Sequence, residues 1–195
     1  MTYNRKVGVL GGSFDPPHFG HLGIAKHVAD FRKLDEVLFV VSHIQWQKTA
    51  VRTMVESHHR LSMVDLAVSE DERFSASDIE INRGGDSVTA ETLESLRSLD
   101  PTAHYELIIG SDIASRLPTW RRSEDLEKFA EIVVIARPGF KIENRHEPFN
   151  FVTIDGPNLD ISSEEIRMAV NQGVPIDHLV PEKVGEYIHR EGLYR

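Results

Sequence analysis

Gly11-Gly12-Ser13-Phe14-Asp15-Pro16-Pro17-His18-Phe19-Gly20-His21 joins a short apolar run to a segment with helical spacing. The run, Val7-Gly8-Val9-Leu10, is expected to form a buried first strand, and His21 to Phe31 a helix. A glycine pair at the end of a strand lets backbone N–H groups approach a phosphate closely. The helix start beyond it adds free N–H groups and a partial positive charge. His18 and His21 bring two imidazoles to that same helix start. The stretch therefore holds the parts of a polyphosphate site, with donors where negative charge grows as a phosphoryl group is attacked. A glycine pair alone is usually a plain turn, and a single histidine usually a structural residue. The succession of these parts is what points to chemistry.

Outward from this stretch, apolar runs alternate with helical patterns. Strands are expected at Val7–Leu10, Val37–Val41, Phe74–Ile81, Glu106–Ile109, Ile132–Ala136 and Phe149–Ile154. Val37–Val41 and Leu107–Ile109 are continuously apolar, as strands covered on both faces are, whereas Phe74–Ile81 partly alternates and suits an edge. Helical spacing runs through Leu61, Val64 and Val68 in Ser57–Ser69, and through Leu93, Leu96 and Leu99 in Thr89–Leu99. Such alternation implies an α/β fold, a mostly parallel sheet with helices on both faces. Ligands of these sheets bind beyond the carboxyl ends of the strands, where the strand order reverses. Gly11-Gly12 ends one strand and Gly110-Ser111-Asp112 follows another, so these two strands are expected to be neighbours flanking that crevice.

The bulk composition narrows the function. The 195 residues suit a single domain over 1–195. With no cysteine, disulfides, thiolate metal sites and cysteine nucleophiles are excluded, which fits a reducing, cytoplasmic setting. No apolar stretch reaches the length of a membrane span, and the basic N-terminal stretch is expected to lead into the first strand rather than to act as a signal sequence. A net charge of −9 argues against a nucleic-acid partner, so positive charge for a polyanion must be gathered locally, from His18, His21, Lys48, Arg137 and Arg167. His58 and His59 are adjacent and are expected to diverge on a helix rather than chelate; no cluster demands a dedicated metal.

Ile161-Ser162-Ser163-Glu164-Glu165-Ile166-Arg167 is the second informative string. Ser162 with Glu165 makes a capping box, so a helix should start here, with Arg167 one turn past Ser163 on the same face. The N-terminal box, opened by Ser13, Phe14 and Asp15 and closed by His18, Gly20 and His21, resembles that of the HxGH nucleotidyltransferase superfamily. The Ile161–Arg167 string resembles the superfamily's second motif, at a suitable separation. Gly110-Ser111-Asp112, Pro118-Thr119-Trp120, Ala136-Arg137-Pro138-Gly139 and the closing Glu191-Gly192-Leu193-Tyr194-Arg195 resemble the bacterial nicotinate-mononucleotide adenylyltransferase branch, nearly end to end. Three departures stand out. Ser13 replaces a usual threonine, Val88 replaces the aromatic between Ser87 and Thr89, and Arg121 follows the tryptophan where an aromatic is common. A contact between Arg121 and a carboxylate is left open, with a surface arginine the simpler reading.

The resemblance implies a doubly wound, Rossmann-like sheet with 157–195 as a small C-terminal helical subregion. It implies adenylyl transfer from ATP to nicotinate mononucleotide, with Mg²⁺ carried by ATP and no metal held by the protein. His18, His21 and Arg167 would be catalytic. Gly11, Gly12, Ser13, Phe14, Gly20, Gly110, Asp112, Arg137, Ile161, Ser162 and Ser163 would bind ATP, while Asp15, Trp46, Lys48, Thr89 and Trp120 would bind the mononucleotide. Nicotinamide mononucleotide or phosphopantetheine as acceptor, or an ATP sensor without turnover, are the competing readings. A homo-oligomer is left open.

Overall fold

A computed structural model describes residues 4–44, 54–136, 145–146 and 149–195. Among them, seven strands make one sheet: β1 (Arg5–Gly12), β2 (Glu36–Val41), β3 (Phe74–Ser77), β4 (Ala103–Gly110), β5 (Glu131–Ala136), β6 (Arg145–His146) and β7 (Phe149–Asp155). Their order is β3-β2-β1-β4-β5-β7-β6, all parallel except the short β6, which runs antiparallel to β7. The order reverses between β1 and β4, so their carboxyl ends diverge into a crevice, as the two glycine-ended strands predict.

Among the described residues are eight α-helices, α1 (Phe19–Arg32), α2 (Ser57–Val68), α3 (Ile79–Arg83), α4 (Thr89–Leu99), α5 (Ser111–Ala114), α6 (Leu126–Phe129), α7 (Ser163–Asn171) and α8 (Glu182–Arg190), and two short 3-10 helices at Leu117–Thr119 and Ser123–Asp125. The period-2 geometry of the strands sends alternate side chains to opposite faces. Val7, Val9, Leu107, Ile109, Ile132 and Val134 meet Leu93 and Leu96 of α4, Ala114 of α5 and Leu126 of α6. Leu10, Val37, Phe39, Ile108, Val133 and Ile135 meet Ala25, Val28 and Ala29 of α1 and Val64 and Val68 of α2. Strands covered on both faces read as unbroken apolar runs for this reason. A third cluster joins Met63 and Ala67 of α2 to Ile166, Val184, Tyr187 and Ile188, seating α7 and α8 behind α2.

Several boundaries differ from expectation: β1 and β4 run longer at both ends, and two further differences bear on the site. The strand expected over Phe74–Ile81 stops at Ser77, opposite Val40, because β2 has only one residue left to pair with beyond that point. The chain then turns into α3, where Asn82 N–H donates to Asp78 O. The first helix starts at Phe19 rather than His21, with His18 as its extended N-cap residue (φ −151°, ψ 171°).

Candidate active site

The crevice between β1 and β4 is a cleft of about 320 Å³. Its floor is Leu10, Gly11, Gly12 and Ser13 from β1 and the turn after it, with Leu107–Gly110 from β4. His21, Ser42, Glu80, the segment Ser87-Val88-Thr89, Ile113, Trp120 and Arg121 complete the lining.

The histidine pair is built by local sequence. His18 and His21 lie three apart at a helix start, which places them on one face. Their rings stack at a centroid distance of 3.7 Å, 28° from parallel. Gly20 permits this: a Cβ there would come within 2.8 Å of His18 Nδ1. The His18 backbone N–H donates to His21 Nδ1 (3.3 Å), which leaves a neutral His21 ring its proton on Nε2, and the residue lines the cleft. The Phe14 ring meets His21 edge-on at 5.0 Å and packs against Phe39 beneath. His18 is 6% exposed, and burial lowers its pKa to about 4 despite the attraction of the Glu165 carboxylate, so it is neutral at pH 7. Its buried Nδ1 has no hydrogen-bond partner among the described residues. An unpaired buried polar atom costs folding free energy, and such costs concentrate where function needs them.

The start of α7 packs against the same box. Ser162 Oγ accepts from Glu165 N–H (3.2 Å), and the Glu165 carboxylate accepts from Ser162 N–H (3.2 Å), the expected capping box. Ser163 Oγ donates to Pro16 O (2.9 Å) and Arg167 Nη1 to Asp15 O (2.8 Å). Tyr194 Oη, near the C-terminus, donates to Asp15 Oδ1 (2.7 Å). Three donors from residues 163–194 thus grip the turn that carries His18. Segments about 150 residues apart converge, as the pairing of the two boxes requires.

Of the residues expected to form the site, Gly11, Gly12, Ser13, His21, Thr89, Gly110 and Trp120 line the cleft. His18 lies behind His21, with Gly20 beside its ring. Asp112 is exposed on α5 beside Gly110. Ser163 and Arg167 bond to the turn, Ile161 O lies 3.5 Å from where a Cβ of Gly20 would stand, and Ser162 caps α7. Asp15 is fully buried and its carboxylate meets Tyr194, which sets it apart from the cleft lining. Phe14 likewise sends its ring into the core. Trp46, Lys48 and Arg137 lie outside the described residues.

Several features correct or extend the sequence reading. Arg121 is a cleft wall rather than a plain surface charge, and its Nη1 pairs with Asp86 Oδ2 at 2.6 Å. The His58 and His59 rings do not diverge: their centroids are 4.1 Å apart at the first turn of α2, and His59 Nδ1 lies 2.9 Å from Tyr187 Oη. Arg60, 1% exposed, donates to Ser13 O (2.8 Å), His43 O (3.1 Å) and Val55 O (2.9 Å), tying the glycine-rich turn to both flanks of residues 44–54. Its place three and four residues before Met63 and Val64, on the apolar stripe of α2, was the available signal. Glu80, buried in the cleft wall, accepts from Thr92 Oγ1 at 2.6 Å and carries no sequence signal of its own.

A crevice at a strand-order reversal, floored by glycine and flanked by two helix starts and paired imidazoles, defines the nucleotidyltransferase class, and the cytidylyltransferase-like family profile matches residues 9–169. A probable nicotinate-nucleotide adenylyltransferase of Saccharopolyspora erythraea is 36% identical over all of this chain and 92% of its own length. Another, from Bacillus cereus, is 38% identical over 97% of this chain and 98% of its own. Among solved structures, the nicotinic acid mononucleotide adenylyltransferase of Plasmodium falciparum complexed with NaAD superposes with a TM-score of 0.81, covering 98% of each chain at 22% identity, which shows the shared fold. The chain belongs to the nicotinate-nucleotide adenylyltransferase family of cytidylyltransferase-like proteins.

Proposed function

We propose that the protein transfers the adenylyl group of ATP to nicotinate mononucleotide, giving deamido-NAD and pyrophosphate in NAD biosynthesis. The observation that carries this reading is the stacked His18–His21 pair at the carboxyl end of β1, gripped by the start of α7. A 5′-phosphate oxygen of the acceptor attacks the α-phosphorus of ATP in line. A new P–O bond forms, the bond to the β-phosphate breaks, and pyrophosphate leaves with its charge. No protein nucleophile takes part, so catalysis is positioning and charge stabilisation. His21 Nε2–H donates to the oxygens that gain charge. His18 supports it from behind as a neutral ring whose protonation the incoming phosphates favour.

In this reading the ATP phosphates lie over Gly11, Gly12 and Ser13, with Gly110, Asp112 and Arg137 on the adenosine side. The acceptor takes the side of Thr89 and Trp120, its phosphate meeting Lys48. Ser163 and Arg167 hold the turn from Asp15 to His18, and Ser162 caps α7, whose N-terminus is offered to the phosphate tail. The substrate is MgATP. Among the described residues lining the cleft Glu80 is the only carboxylate, and it already serves Thr92, so Mg²⁺ is best carried by phosphate oxygens and water. A cytoplasmic location suits a chain without cysteine whose described helices are all too short or too polar to span a membrane.

The test is pyrophosphate release from MgATP with nicotinate mononucleotide, nicotinamide mononucleotide or phosphopantetheine in parallel. Preference for the nicotinate form is expected. Preference for phosphopantetheine, or ATP binding without turnover, would contradict the reading.

A further inference from the structure

Two segments meet at the rim of the cleft. One brings Trp120 and Arg121, the other Asp86, Ser87, Val88 and Thr89, and the Arg121–Asp86 ion pair joins them. Among the described residues that line the cleft, Arg121 alone carries a permanent cation. It sits beside the one tryptophan there, where a flat aromatic ligand can stack. The other charged lining residue, Glu80, is buried and would repel an anionic ring substituent. Among the described lining residues, a ring that bears a carboxylate therefore gains most by turning that group toward Arg121.

The ion pair is suited to sharing. Its side chains are 50% and 38% exposed, and exposed pairs add little stability, so a change of geometry is cheap. Asp86 follows Gly84 and Gly85, both in the left-handed region (φ +71° and +70°), and its backbone makes a lone bridge to Ile44. A guanidinium has five N–H donors in a planar fork and serves two carboxylates at once, one of them bidentately.

We propose that Arg121, aimed by Asp86, recognises the carboxylate on the pyridine ring of the acceptor and so sets the preference for nicotinate over nicotinamide mononucleotide. This rests on the adenylyl-transfer reading above and assigns it a specificity-determining residue, with Asp86 as its positioning partner.

The test is steady-state kinetics of the full chain with each acceptor, joined to calorimetric binding of nicotinate mononucleotide. Arg121→Gln should cut the acid-over-amide ratio of kcat/KM by about 10- to 100-fold through KM for the acid, leaving KM for ATP and for the amide within about twofold. Arg121→Lys, which keeps the charge and loses the fork, should recover part of the ratio. Asp86→Asn should lower the ratio by less. Equal losses with both acceptors, in either variant, would make the pair a mere rim brace and overturn the proposal, as would an unchanged ratio in Arg121→Gln. A wild-type protein that neither binds nor turns over either mononucleotide would instead overturn the functional reading itself.

Discussion

The strand β4 has two ends with opposite chemistry. At its amino end Glu106, fully buried, accepts from Arg32 Nε and Nη2 at 2.6 and 3.0 Å, and the same Nη2 reaches Glu131 at 2.6 Å. His104 lies 3.2 Å from Glu131, so the three acidic and imidazole groups have the closeness of a metal site. Arg32 supplies the positive charge there, and its pKa is raised by the bond to Glu106 and the nearby carboxylates. Across the crevice from the carboxyl end of β4, on the turn after β1, His18 is not satisfied in this way. Burial holds its ring neutral, its Nδ1 has no hydrogen-bond partner among the described residues, and His21, stacked on it, lines the cleft. A network that closes on itself stabilises; one left incomplete is poised to act on something else.

That contrast is broken most severely at the satisfied end. Glu106→Ala should strand Arg32 and lower unfolding stability by about 3–5 kcal/mol, with kcat of the folded fraction unchanged. Urea denaturation and active-site-normalised rates check this, and a selective loss of kcat would erase the distinction between the ends. At the other end, His21→Ala should reduce kcat about 10²–10³-fold with little change in melting temperature. A variant that unfolds but keeps its rate would reverse the assignment.

The pH dependence sharpens the comparison. Unfolded, His18 titrates near its ordinary 6.5; folded, near 4. Between those values the unfolded chain binds the extra proton, so stability from this residue is complete above pH 6.5 and falls as pH drops toward 4, by about 3 kcal/mol. Denaturation of wild type and His18→Asn at pH 4.5 and 7.5 should show a smaller acid loss in the variant; identical losses would refute the buried neutral ring. The smallest effect is expected for Tyr194→Phe. Removing its bond to the buried Asp15 should cost about 1–2 kcal/mol and a modest fraction of kcat, since the turn bearing His18 loosens.

Legibility in the sequence followed burial. Val37–Val41 and Leu107–Ile109 read as strands because both faces are covered, and the two glycine-ended strands proved adjacent because an alternating α/β chain has its switch point there. Phe74–Ile81 misled because an edge strand ends where its only neighbour ends, which depends on β2 rather than on its own residues. The two boxes announced their meeting, yet not its form. Ser163 and Arg167 reach backbone carbonyls of the turn, and Asp15 finds Tyr194, through tertiary contacts that no local pattern encodes. Arg60 and Arg121 were hidden for a different reason: a lone arginine on a helix or after a turn reads as solvated until its neighbours in space are known.

A crystal structure with a non-hydrolysable ATP analogue tests the central claim most directly. The account predicts the α-phosphate within hydrogen-bond reach of His21 Nε2, with the phosphate tail between Gly11-Gly12 and the start of α7. A triphosphate bound elsewhere, with the histidine pair still turned to an empty cleft, would contradict it.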